Sequence, residues 1–539
     1  MIASPVLALV AAGLAVANSP DHHKSFRPKL ESARENGPQI FNAIHNAMRE
    51  FGSALNHNGM SLFPALIPEG VLLYHGTHTR DVPHAFEWLA FEIEHAQQFA
   101  LPMPPRRPPP RVSHEEEQIW HSIHDHDPLE LHLAARELGR PPRGRPDPSE
   151  SGHLHLYQAT RELRVLYIDG MAAGKTDMGT IDTQDYLLTG NQGERHSMND
   201  WARAEDLCKL AKPWRIDGFI RMEPGFEVIY CDFTEGLRLV STHQQPEMND
   251  PGSLVDADAS EAGWGGLMTF AWARAAAQRY HDIGASRVML DYSSMVSAYF
   301  YPANLTNPKP DRPELPRLTN SKDWELQIMR EHIGYTTLRS RGTAERRVGW
   351  QGVVDMIVSR YANRFPLMAR TASLDVFKYE VNNLLNVFID YSEDDKGLEA
   401  AKRRCIGFYL QPASPQTPED FLIQAAIEST TTAICTALFE ARRLVVEDTD
   451  ADKSSLNAGK DIVRELMDVL SWSTWKECGA CQSDEVCFIA MWPFGNVEDH
   501  FHPSCLNHST IHGRMTYWRN GRPGPRPPPD ERQYEVGEL

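Results

Sequence analysis

Three carboxylates crowd the segment "FIDYSEDDKGLEAAKRRC" at residues 388–405, where Asp394 adjoins Asp395 and Glu399 stands four residues further on. On a helix Asp395 and Glu399 share one face. Such a set can take a guanidinium bidentately, hold a divalent cation, or divide into a general acid and a general base once neighbours separate their pKa values. The same residues also suit a helix end. Ser392, three before Asp395, makes a capping box, acidic side chains favour a first turn, and Glu399 is within reach of Lys402 or Arg403. That bland reading leaves Glu393 and Asp394 as surplus negative charge.

A second segment, "VLYIDGMAAGKT" at 165–176, runs from a β-branched strand into Gly174-Lys175-Thr176. A phosphate-cradling loop needs Gly, four spacers, then Gly-Lys-Ser/Thr, so that backbone N–H groups curl round the phosphates while the Lys reaches the outer ones. Here the first position is Asp169, Gly170 leaves only three spacers, and Asp177 and Asp182 add negative charge. The spacing predicts a strand ending in a flexible loop. The eight cysteines, an even number, fit an oxidising compartment. Cys478, Cys481, Cys487 and Cys505 gather near the C-terminus with His500 and His502 between the last two, which leaves disulfides, a zinc site and free thiols open. Cys405 and Cys435 fall in helical patterns, where a buried thiol packing as a small hydrophobe is the expectation. No residue set is assigned to a metal.

The elements that position these groups form an α+β chain. Its 539 residues, 41% hydrophobic, allow two to four domains, and a formal charge of −19 excludes a uniformly basic nucleic-acid-binding surface. Residues 1–17 carry an apolar run from Val6 ending in Ala15-Val16-Ala17, the pattern of a signal peptide. No Lys or Arg precedes the run, so a short anchor or a buried helix stays open. Asn304-Leu305-Thr306 and Asn507-His508-Ser509 are glycosylation sequons that agree with secretory entry. Residues 37–55 and 85–100 have helical spacing, and "GVLLYHGT", "LHLYQAT", "LRVLYIDG", "GFIRM" and "FEVIYCDF" read as strands. Residues 37–240 thus make a mixed strand-rich domain with a Pro/Arg-rich insert at 101–151. A helical domain follows over 260–475, then a Cys-rich tail at 476–518 and a disordered end at 519–539.

"LLYHGT", with His75, resembles the first motif of the ADP-ribosyltransferase fold. There a strand His holds the nicotinamide-side ribose of NAD. "EWLAFEIEHAQQFA" resembles the helix after that motif, and "GFEVIYCDF" the strand whose Glu orients the ribose, which makes Glu227 the counterpart. The resemblance covers roughly residues 60–240 and implies NAD as cosubstrate. It departs from the pattern at Phe99, where a stacking Tyr is expected, and at position 225, which lacks Gln or Glu.

Over its whole length the chain also resembles a family of fungal proteins, through "LYHGT", "EWLAFEIEHA", "IDGFIRM" and "DYSEDDKGLE". That family is similar to the arginine-containing cyclodipeptide synthases. The resemblance implies condensation of arginine with a second amino acid into a diketopiperazine, with arginyl-tRNA and another aminoacyl-tRNA as co-substrates and no other cofactor. It places an essential acidic motif on Asp394, Asp395 and Glu399, whose paired carboxylates suit a planar guanidinium. RNA contact would fall to Arg106, Arg107, Arg111, Arg140, Arg143 and Arg145, which can equally be solvated loop charges. Charged tRNA is cytosolic, so this activity needs the N-terminal segment to be an anchor that leaves the body facing the cytosol. A secreted NAD-using enzyme and a secreted protein without activity are the alternatives.

Overall fold

The computed structural model describes residues 25–100, 152–190, 199–246, 266–280, 286–310, 312–340, 348–392, 397–447, 450–511, 514 and 516–518. The 1–17 segment, the 101–151 insert and the 519–539 end therefore lie outside the described residues. Ten strands form one sheet: β1 (Asn58–Ile67), β2 (Leu72–Thr77), β3 (Glu87–Ala90), β4 (His153–Ala159), β5 (Leu163–Gly170), β6 (Gly218–Glu223), β7 (Gly225–Tyr230), β8 (Leu237–Gln244), β9 (Met289–Leu290) and β10 (Val296–Ser297). Their order is β10-β1-β5-β6-β7-β3-β2-β4-β8, with β9 also on β1. Among the described strands of this sheet all pairings are antiparallel except β5 with β6. A parallel pair needs a crossover, and the chain between them supplies a helix for it.

The helices, in chain order, begin with α1 (Leu30–Glu35), α2 (Gly37–Asn46), α3 (Glu50–Leu55), α4 (Ile93–Gln97), α5 (Asp200–Trp214) and α6 (Gly266–Arg279). They continue with α7 (Asp323–Arg339), α8 (Trp350–Tyr361), α9 (Arg364–Arg370), α10 (Leu374–Leu385) and α11 (Gly397–Gly407). The last are α12 (Pro418–Arg442), α13 (Lys453–Leu470) and α14 (Val497–Phe501). The protein is thus mixed α+β, with a strand-rich sheet in its N-terminal part and a helical region in its C-terminal part. At the centre of the helical region α12 packs against α1, α2, α11 and α13. Residues 418–447 are apolar and long enough to cross a membrane by length and composition, and their burial among these neighbours is that of a core helix.

Local chemistry explains several boundaries. Thr417 caps α12 by accepting from the Asp420 amide, Asp420 reaches back to the Thr417 amide, and Pro418 opens the helix. Every residue of β1 is buried, as a strand covered on both faces must be. The expected helix over 37–55 is broken into α2 and α3, with Met48 at φ 56 between them. At that break Arg49 turns to take both oxygens of Asp355, at 2.8 and 2.7 Å. The helical spacing over 85–100 also divides: 87–90 is β3, filling the sheet between β2 and β7, and only 93–97 is helical. The short apolar run satisfies both periods, so tertiary pairing decides. Strands β9 and β10 arise inside the stretch read as helical and pair with β1.

Four disulfides join Cys208–Cys231, Cys405–Cys435, Cys478–Cys487 and Cys481–Cys505, and no described cysteine is free. Cys405 and Cys435 are accordingly not packed thiols but a bridge from α11 to α12, with Cα atoms 6.1 Å apart. In the tail, β11 (Val486–Phe488) and β12 (Ser504–Leu506) pair with Cys487 opposite Cys505, and each bonds outward to the preceding loop. Cys478, Cys481 and Cys505 lie close enough to hold a metal. Their sulfurs are committed to S–S bonds and offer no thiolate.

A cleft closed by Glu227

Tyr74 pairs with Ala90, Ala90 with Glu227, and Glu227 with Arg221, across β2, β3, β7 and β6. Directly opposed residues share a face, so these four side chains stand in one row, and Glu223, opposite Gly225, joins that face. Over it lies α4, packed so closely that a Cβ on Gly76 would fall 1.8 Å from the Ala96 carbonyl oxygen. Only glycine allows that approach. Between helix and sheet is a narrow cleft lined by Tyr74, Gly76, Trp88, Leu89, Ala90, His95, Ala96, Phe99 and Glu227. Its enclosed free space is about 10 Å³. That is room for about one water.

Behind Glu227 lies a buried ionic network. Arg221 gives Nη2 to Glu227 Oε1 at 2.5 Å and grips Asp200 with Nη1 and Nη2 at 2.9 and 2.8 Å. Arg203 donates to Asp185 with Nε and Nη2 at 2.7 and 2.9 Å and to Asp200 at 3.0 Å. His95 Nε2 meets Glu223 Oε1 at 3.0 Å. Burial alone would raise the Asp200 carboxyl, but Arg221, Lys175 and Arg203 outweigh it and hold it well below the usual range. Burial pushes the Glu227 carboxyl up, opposed chiefly by Arg221. The net shift is upward, so Arg221 offsets only part of the cost of burying a charge at the cleft wall.

The Gly-Lys-Thr loop does not cradle phosphate. Lys175 is buried, donating to the Ala173 carbonyl at 3.1 Å, 3.5 Å from Asp200, and lying over the Trp492 ring at 4.5 Å. The Ala173 and Gly174 amides are spent on Met222 and Met171. Of the residues singled out from sequence, Glu227 lines the cleft and His75 does not. His75 follows Tyr74 and so points to the opposite face, where Nδ1 meets the Trp88 carbonyl at 2.7 Å and the ring lies 5.8 Å from His155. Its neighbour Gly76 lines the cleft instead.

Asp394 and Asp395 lie outside the described residues, and Glu399 is exposed in the first turn of α11. The Ser392 hydroxyl donates to Asp390 at 2.7 Å, and Asp395, its partner in the expected capping box, lies outside the described residues. Asn304 is exposed and Asn507 half-buried, each in a loop with its Oδ1 taking an amide two residues on.

Arg221, Asp200, Arg203, His95 and Glu223 escaped the sequence reading. In "GFIRME", Arg221 and Glu223 alternate with Ile220 and Met222, which reads as a half-solvated strand, yet all six residues are buried.

A family model described as the YPL277C N-terminal domain matches residues 21–265. The uncharacterized protein YPL277C of Saccharomyces cerevisiae is 30% identical over 407 residues, 67% of this chain and 77% of that protein. The uncharacterized protein YOR389W of the same yeast is 26% identical over 544 residues, 87% of this chain and 84% of that protein. No solved structure matches the chain significantly. The chain belongs to the YPL277C family.

Proposed function

We propose that the cleft is a nicotinamide site and that the protein is an ADP-ribosyltransferase-like enzyme using NAD. The observation that carries this reading is convergence. The three segments that resemble that fold, "LLYHGT", "EWLAFEIEHAQQFA" and "GFEVIYCDF", meet at one cleft and contribute Gly76, Trp88 with Phe99, and Glu227 to its wall. Aromatic side chains beside small residues suit a flat ring, and a carboxylate at the wall suits the ribose hydroxyls next to it. In the reaction the bond from ribose C1′ to the nicotinamide nitrogen breaks, nicotinamide leaves with the electron pair, and a nucleophile bonds to C1′ and gives up its proton. Glu227, oriented by its hydrogen bond from Arg221, positions the ribose, and its carboxylate form stabilises the developing positive charge. Admitting the ring requires the cleft, which holds about one water, to widen.

The test is release of nicotinamide from NAD by the folded protein, followed chromatographically with candidate acceptors. Glu227→Gln, which keeps the shape, is expected to lower turnover per folded molecule by at least a hundredfold, with a lowered melting temperature because buried Arg221 loses a charged partner. Intact NAD after prolonged incubation would end this reading. A secretory location accords with the four disulfides and the exposed Asn304. Arginine diketopiperazine synthesis has its own check: the product in the medium of an expressing host would put Asp394, Asp395 and Glu399 at the centre instead.

A further inference from the structure

Glu227 has a second pair of neighbours that the nicotinamide reading does not use. One ligand atom each from His95, Glu223 and Glu227 lies within 4.8 Å of the other two, and all three residues are buried. They come from separate elements: His95 from α4, Glu223 from the end of β6 and Glu227 from β7, brought together by the tight Glu223-Pro224-Gly225 turn that folds β7 back on β6. His95 is 1% exposed and Nδ1 has no hydrogen-bond partner among the described residues, while the ring itself lines the cleft beside Glu227. A buried imidazole and two buried carboxylates, of which His95 and Glu227 line the cleft, form the donor set of a divalent transition ion with an open position. Tetrahedral coordination wants donor atoms about 3.3 Å apart. His95 and Glu223 already stand at 3.0 Å. Arg221 supports the arrangement by holding Glu227 through one oxygen, as an outer partner orients a ligating carboxylate.

We propose that His95, Glu223 and Glu227 bind one divalent cation of the zinc type at the inner end of the cleft. The inference does not rest on NAD: it concerns cation binding by the folded chain with no nucleotide present. The full chain, stripped with chelator and returned to buffer, would be titrated with Zn²⁺ against a coloured competitor. One equivalent should bind and raise the melting temperature, and His95→Gln and Glu223→Gln should each weaken binding by at least tenfold. Should either variant fail to fold, X-ray absorption of the zinc-loaded wild-type protein decides, with one imidazole and otherwise oxygen donors expected. Sulfur donors would put the ion among the tail cysteines, and that result overturns the proposal. So does absence of a stoichiometric equivalent, or binding that both variants retain.

Discussion

Arg221 serves two carboxylates from one guanidinium, and no uncharged or single-point donor can replace it. In Arg221→Met, Glu227 and Asp200 would each lose a buried cation, which costs about 3–5 kcal/mol because the partners remain in a low-dielectric interior. A fall in denaturation midpoint of that size is expected, with Arg221→Lys intermediate because an ammonium cannot take both carboxylates in one plane. A midpoint within experimental error of wild type would mean that water reaches the network. Individual residues were legible in uneven measure. Glu227 could be picked out because "GFEVIYCDF" resembles a strand carrying a functional Glu, and it is the one acid within β7. His75 could be seen but not its facing, since a strand's parity is set by pairing with β3, itself hidden in a helix-like pattern.

Among the elements, α5 has the greatest influence on the cleft, because it carries Asp200 and Arg203 to the sheet and is tethered by Cys208–Cys231. The bridge spans 23 residues. Chain-entropy arguments for a closed loop of that length give about 3 kcal/mol. The double variant Cys208→Ala/Cys231→Ala is expected to lose about that much stability, and its α5 amides should exchange with solvent faster than those of β6. Uniform exchange across the two elements would count against a local tether. The strands "LRVLYIDG" and "LHLYQAT" were readable from β-branched and alternating patterns, and α12 from its length and apolar content. Two-residue strands such as β9 and β10 carry no periodicity, so nothing in the residues themselves announces them.

At the scale of the whole molecule, buried ionisable groups shape the response to pH. Burial, helped by Glu477, raises Glu50 from 4.5 to about 8, and burial raises Asp169 from 3.8 to about 7. The folded chain keeps those protons while the unfolded chain releases them, so their stabilising contribution is complete below the unfolded values and is lost as pH rises through 7 and 8. Burial lowers His57 and His155 from 6.5 to about 3 and about 4. Their contribution is present above pH 6.5 and is lost as pH falls through 4 and 3. The two sets oppose each other in mild acid, and from pH 6.5 to 8 only the carboxyls among these four groups act. Stability should therefore decline over that window by about 1.4 kcal/mol per pH unit for each group still protonated in the fold. Thermal melts across the window measure it, and Glu50→Gln should flatten the slope; a melting temperature rising from pH 6.5 to 8 would contradict the assignment.

The pairing of β9 and β10 with β1 means that the protein has no place to be divided where its homology suggests. The family match stops at residue 265, yet β1 receives its last partners only at 289–297. A chain cut after 265 would present β1 as a bare, apolar rim, inviting other copies to zip onto it. It should come out of cells as aggregate. Supplying the missing partner, the separately expressed segment from 286 to 539, should recover soluble material as a two-piece complex, whereas a soluble, monomeric 21–265 fragment would show that the rim is tolerated.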